Sequence, residues 1–326
     1  MTILRKLNFH LFDVQLNTNV TTAEALSPEM KTFYDRALLK CAEPELVHDQ
    51  FAQTRDIPKG AGKTIEFRKF SSLPKALTPL TEGVTPNGQA YSVTAITATV
   101  KQYGAYIAIS DVLQLTAFDN NMAEITRILG SQAGRTADTI TREAMCECTN
   151  VQRPNDKLSV NDVTAADKLT VAEIKRAVNT LKNANASKIN GSWVAIVHPD
   201  SVYDLMEDDE WIEASRYAGS EQIFKGEIGK LYGVRFVEST EAKIELNESD
   251  VSVYTTFVLG ANAYGTTKVA GGGLQTIVKQ LGSGGTADPL NQRATIGWKM
   301  IKTAKVLAPE FMVMIEHGAT ISHAAN

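Results

Sequence analysis

Cysteine is scarce in this chain: Cys41, Cys146 and Cys148 are the whole supply. Three thiols with no paired spacing exclude a disulfide framework. Cys146-Glu147-Cys148 has no second pair and no nearby histidine, so a structural zinc site is also excluded. The remaining expectation is reduced thiols near a helix end in a reducing compartment. Aromatic residues make up only 7%, so contact surfaces must be built mostly from aliphatic side chains. No apolar run approaches the ~20 residues that span a bilayer. Arg5 and Lys6 are followed by Asn8, His10, Asp13 and Gln15, which interrupt any secretory signal core. A protein that stays in the cytoplasm where it is made, with no membrane partner, is the expectation. Basic charge is short as well. Thirty-three Lys and Arg stand against 37 Asp and Glu, a net charge of -4. That balance argues against gripping nucleic acid by phosphate neutralisation, and leaves open enclosing it without reading it.

What is present is ordinary globular material, 326 residues with 43% hydrophobic and 21% charged, enough for one large domain or two modest ones. Residues 1–26 are polar and read as an extended arm. Ser27-Pro28-Glu29 opens a helix with Ser as N-cap and Pro at the first helical position, and Met30, Phe33, Ala37, Leu38 and Cys41 form its apolar face. From Lys63 the period changes to two: KTIEFRKF alternates, SSLPKALTPLTEGVTPNG forms a Pro/Gly/Thr-rich tip, and YSVTAITATVKQYGAYIAIS alternates again. Two strands around so long a tip describe a protruding hairpin, and a tip of that length usually marks function or contact. Leu73, Leu77, Leu80 and Val84 lie on it with little local core to cover them.

A long helix follows. Asn121 with Glu124 fits a capping box, and Met122, Ile125, Leu129, Ala133, Ala137, Ile140 and Ala144 recur at steps of three and four. The stripe spans about seven turns, roughly 40 Å; Gly130 and Gly134 in its middle imply close packing or a bend. Thr170 with Glu173 opens another helix, and residues 166–268 alternate helix and strand (SWVAIVHPD, then 232–240, then 253–265) as a compact α/β unit. Residues 293–318 form a long strand-like run interrupted at Ala308-Pro309.

The glycine clusters in VAGGGLQTIVKQLGSGGTADPLNQ fail the tests for phosphate binding. Gly282 to Thr286 lacks a Walker lysine and no helix follows. Gly271, Gly272 and Gly273 precede the strand-like Leu274–Val278 in place of a helix N-terminus. Gly271, Gly272, Gly273, Gly282, Gly284 and Gly285 read as connector glycines that serve turns. The five histidines are scattered, and His198 before Pro199 reads as capping a turn or filling a pocket edge. The run Glu207-Asp208-Asp209-Glu210 lacks calcium-loop spacing. No nucleophile elbow accompanies any Ser, so no catalytic, cofactor or metal residue is assigned.

The order of elements resembles the major capsid proteins of tailed bacteriophages, with their HK97-like α+β fold. LTEGVTPNGQAYSVTAITATVKQYGAYIAISDVL, Leu80 to Leu113, is similar to the family's E-G with a following proline, alternating strand, basic residue and I-x-I-S step. RATIGWKMIKTAKVLAPEFMVMIE, Arg293 to Glu316, is similar to its late strand with a P-E-F step. WVAIVHPDSVYDL and GVRFVEST resemble elements of its axial domain. The resemblance implies an N-terminal arm with a short helix over 1–55, an extended hairpin loop (E-loop) over 56–104, and a peripheral domain over 105–165 and 290–326. That peripheral domain would carry a spine helix over 121–148, and residues 166–289 would form the axial domain. It implies a structural, non-enzymatic protein that assembles with itself into hexamers and pentamers of an icosahedral shell around a double-stranded DNA genome. The alternatives are an encapsulin-type compartment and, behind it, an unrecognised α/β enzyme centred on His198 and the acids Glu207 to Glu210. Assembly would occur in the host cytoplasm and the product would be a virion capsid. A separate scaffolding protein, a portal and a decoration protein would be partners, and the hairpin residues Leu73, Leu77, Leu80, Glu82, Val84 and Pro86 would form the assembly contact. Lys75, Lys101 and Asn87 are expected to be solvated polar residues with no part in covalent crosslinks.

Overall fold

The computed structural model describes residues 36–42, 46–56, 63–71, 73–80, 82–85, 87–116, 121–218, 229–267, 273–284 and 288–326. The arm and the Ser27 cap, Pro86, Gly271, Gly272 and Gly285 lie outside the described residues.

The apolar stripe forms one helix, Asn121–Met145, three residues shorter than the expected spine. Leu129, Ala133 and Ala137 are buried against Ile296, Trp298 and Met300. Gly130 is explained by close packing. A Cβ there would lie 2.8 Å from both the Leu38 carbonyl oxygen and the Cys41 Cβ, so residues 36–42, themselves helical, rest directly on the spine backbone. Glu124 pairs with Arg127 one turn on.

The spine lies against a three-stranded antiparallel sheet ordered Gln275–Lys279, Arg293–Lys302, Lys101–Ser110. Register runs from Arg293 opposite Ser110 to Lys302 opposite Lys101. The compact α/β unit is built on a seven-stranded sheet. Its main path is Val151–Gln152, Met312–His317, Ser252–Leu259, Trp193–Val197, Val234–Glu238, Lys230–Leu231, with Ile244–Leu246 also on Ser252–Leu259. Trp193–Val197 and Ser252–Leu259 are buried along their whole length, and Trp193–Val197 accordingly reads as a continuous apolar run. The helix Val171–Asn183 covers one face through Ile174, Val178 and Leu181. Half of its expected capping box forms. Thr170 Oγ accepts the Glu173 N–H, but the Glu173 carboxylate accepts from the buried Gln152 side chain.

Two expected strands divide. The 253–265 run stops at Leu259, turns through Asn262 in the left-handed region (φ 60°), and resumes as Tyr264–Thr267 in another sheet, between Gln53–Arg55 and Ala304–Val306. The 293–318 run breaks into Arg293–Lys302, Ala304–Val306 and Met312–His317. The last piece pairs with Ser252–Leu259 in the seven-stranded sheet, although sequence order places it with the peripheral residues 290–326. The 3-10 turn at Pro309–Phe311 redirects the chain, because proline cannot donate to a ladder.

Candidate interaction surface

Thr64–Phe70 and Val93–Thr99 pair antiparallel from Thr64 opposite Thr99 to Phe70 opposite Val93. The root of this hairpin is fixed to the body. Ile65, Phe67 and Ala98 cluster with Leu307, the Phe67 ring covers Gly265, where a Cβ would meet it at 2.5 Å, and Lys69 pairs with Glu310. Beyond the root, among the described residues, the chain is uncovered. Every described residue from Ser71 to Ala95 is exposed. Leu77 is 81% and Leu80 76% exposed, and Phe70, Leu73, Val84 and Tyr91 are exposed too. Glu82, Lys75 and Asn87 are exposed among them. The two strands reach out from a shared core, and the leucines on the tip between them form an exposed apolar patch.

A second apolar surface, which sequence reading missed, lies on the body. Strand Lys101–Ser110 alternates, with Tyr103, Ala105 and Ile107 turned to the spine and Tyr106 turned out. Tyr106, Ile107, Ile128, Gln132, Arg127 and Arg135 line an open groove of about 360 Å³. Val112, Leu113 and Leu115 on the following helix, Asp111–Thr116, are exposed as well. The period-2 signal in YGAYIAIS carried this information, since it assigns Tyr106 to the face opposite its neighbours.

Among the connector glycines, Gly282 has φ 86° in the turn that closes Gln275–Lys279 onto Arg293–Lys302. Gly284 sits where a Cβ would fall 2.8 Å from that of Asp288. Asp288 accepts the Gln292 and Arg293 N–H groups at 3.2 and 2.8 Å and so fixes the re-entry into the long strand. Gly273 is buried just before Gln275.

His198 and Asp208 serve as fasteners. His198 Nδ1 accepts the Asp200 N–H at 3.2 Å and caps the helix Pro199–Met206; burial lowers its pKa, which keeps that lone pair free. Asp208 accepts the Val171 and Glu210 N–H groups at 2.9 and 3.0 Å. Burial pushes the Cys146 thiol up to about 11, far from a reactive thiolate. Among the described residues no group of His, Cys, Asp and Glu could hold a metal ion, and no helix is long and apolar enough to cross a membrane. A buried polar junction lies on the spine. Asp138 accepts the His48 backbone N–H at 2.7 Å and faces its ring Nδ1 at 2.6 Å. Asp49 accepts from Thr141 and pairs with Lys302, and the Tyr264 hydroxyl donates to the His48 carbonyl.

His317 carries a pH consequence. Its Nδ1 lies 2.8 Å from the Gly318 carbonyl, which can only accept, so Nδ1 bears the proton; Nε2 then accepts from the Thr256 hydroxyl at 2.9 Å. Complete burial lowers its pKa to about 4. The unfolded chain therefore binds a proton near pH 6.5 that the folded chain refuses until about pH 4. Stability is full above the unfolded value and falls as pH drops through that window, by roughly 3 kcal/mol at most. Denaturant midpoints measured from pH 7 to pH 4 should show this loss, and His317→Gln should flatten part of it.

Residues 58–310 match the family model described as phage capsid protein. No curated protein matches the chain. Solved structures do. The capsid of Ralstonia phage GP4 superposes with TM-score 0.65 at 13% identity, covering 85% of this chain and 89% of that one. The cyanophage Pam1 capsid gives TM-score 0.63 at 16% identity, covering 86% and 93%. A virus-like particle from Pyrococcus furiosus is more distant, TM-score 0.52 at 9% identity, covering 88% and 99%. At these identities the likeness speaks for the fold. With most of its length inside the family model and its hairpin, spine and α/β unit in this order, the chain belongs to the phage capsid protein family, as a structural major capsid protein of the HK97-like fold.

Proposed function

We propose that this capsid protein works by surfaces alone, turning over no substrate, and that its hairpin, residues 56–104, reaches onto a neighbouring copy. Six- and fivefold rings of such subunits close an icosahedral shell around a double-stranded DNA genome. The observation that carries this reading is the bare apolar hairpin on a well-fastened root. Leu73, Leu77, Leu80, Glu82, Val84 and Pro86 are assigned to the contact. The groove of Tyr106 and Ile128 is a receiving face of matching apolar character. Each interface needs only ordinary size, ~1,600 Å², because closed symmetry multiplies modest contacts. The net charge of -4 suits a lining that holds DNA without gripping it.

This reading divides the chain into an arm (1–55), the hairpin, a peripheral body (105–165 and 290–326) and an axial unit (166–289), with Met312–His317 stitching the last two together. It places assembly in the host cytoplasm and the product in the virion, and adds a scaffolding protein, a portal and a decoration protein as partners. The compartment alternative is set aside, because the matching family model is that of phage capsids. Electron micrographs of the purified chain test the proposal. Closed, hollow, symmetric particles are expected, and a chain that stays monomeric at every concentration and salt would refute it.

A further inference from the structure

The segment Ala319–Asn326 has no regular secondary structure, yet hydrogen bonds tie it down along its length. Thr320 donates through its N–H, at 2.8 Å, and its hydroxyl to the two oxygens of Asp204. Ser252 Oγ lies 2.8 Å from both Ser322 Oγ and the His323 carbonyl. The His323 N–H donates to the Tyr254 oxygen at 3.0 Å, and its ring Nδ1 sits 2.5 Å from Asp200. At Asn326 the segment meets the spine helix. The Asn326 side chain accepts from the Ile244 N–H at 3.1 Å and from Arg142 at 2.8 Å, and donates to the Ala242 carbonyl at 2.9 Å. Arg142 also donates to the Asn326 carbonyl at 3.3 Å.

We propose that Ala319–Asn326 is a detachable strap that locks the compact α/β unit onto the last turns of the spine helix, with Asn326 closing it on Arg142. Two features make it a strap and set it apart from core. Only Ala319 is buried and the rest is exposed, so polar bonds hold the segment, and such segments open at lower free energy than packed strands. Arg142, by contrast, is buried, its side chain 3% exposed; apart from the strap its acceptors are the Glu241 carbonyl and Glu143. A buried guanidinium left short of acceptors is unfavourable, so Arg142 favours the closed strap. The geometry explains what is locked. Met145 packs among Val194, Ile196, Phe257 and Met312, an apolar pivot between helix and sheet. Arg142 also bonds the Glu241 carbonyl and Lys243 pairs with Glu143; the Arg142–Asn326 clasp, one turn before Met145, adds the strap to these attachments and restricts the angle further. In a shell, unlike positions ask for unlike angles, and the strap is the part that can let go; this use rests on the shell reading, while the clasp does not.

Hydrogen–deuterium exchange on the full chain tests the clasp without reference to particles. In Asn326→Ala, amides in 241–246 and 138–146 should exchange about tenfold faster while 193–197 stays unchanged. The double variant Ser252→Ala/His323→Ala touches no contact of Arg142, and should accelerate the same two regions because the strap lifts as one unit. Unchanged exchange in either variant, a response confined to 252–254 in the double variant, or acceleration spread evenly over the subunit would overturn the proposal.

Discussion

Removal of Leu73 to Pro86 should abolish closed particles and leave a folded, monodisperse subunit. The deletion discards only residues beyond the hairpin root. The root cluster of Ile65, Phe67, Ala98 and Leu307, the Lys69–Glu310 pair and the Thr64–Phe70 ladder with Val93–Thr99 all remain. Shortening an exposed loop changes its closure entropy by less than about 1 kcal/mol, so the thermal midpoint should stay within a few degrees of the intact chain. Assembly should respond all or none. The deleted residues supply Leu77 and Leu80, among the most exposed large apolar side chains described, and a shell repeats that loss at every copy. Sedimentation and micrographs read the two outcomes separately. Normal particles from the deletion would show that the tip is no assembly contact.

The second large effect is internal. Asp49→Ala should destabilise the subunit by roughly 3–5 kcal/mol, because it leaves Lys302 charged, buried and without its carboxylate. The Lys302 side chain is 1% exposed, and Asp49 sits at its Nζ with Thr141 on its other oxygen. Asp49→Ala/Lys302→Met should recover most of the loss, since a buried pair replaced by apolar groups is close to neutral. Urea midpoints of the four forms, measured on the hairpin-deleted subunit so that assembly does not intrude, give the coupling directly. Additive losses in the double variant would mean that the pair does not act as a unit.

These two predictions differ in how far the sequence announces them. The hairpin and the spine are local patterns. KTIEFRKF and YSVTAITATV alternate because one face of each strand meets the root, and Leu129, Ala133 and Ala137 repeat because one side of a helix meets Trp298 and Met300. The bare leucines of the tip were legible by the same logic, as apolar residues without a local core. The Asp49–Lys302 pair spans 253 positions and Arg142–Asn326 spans 184. A single carboxylate or guanidinium has no period, so nothing nearby reveals its partner. The division of 253–265 at Asn262, and the transfer of Met312–His317 into the seven-stranded sheet, were hidden for a related reason. An apolar strand looks the same whichever sheet it joins, and only pairing decides. His198 was legible because capping is local: a side chain before Pro199 has the Asp200 N–H within reach.

The central claim is that one subunit's hairpin finds its core on another subunit. A cryo-electron-microscopy map of particles assembled from the purified chain measures this most directly. The account predicts Leu73, Leu77, Leu80 and Val84 of each subunit buried against an adjacent copy, over or beside its Tyr106 and Ile128. A closed shell whose hairpins project into solvent, with those leucines still bare, would contradict it.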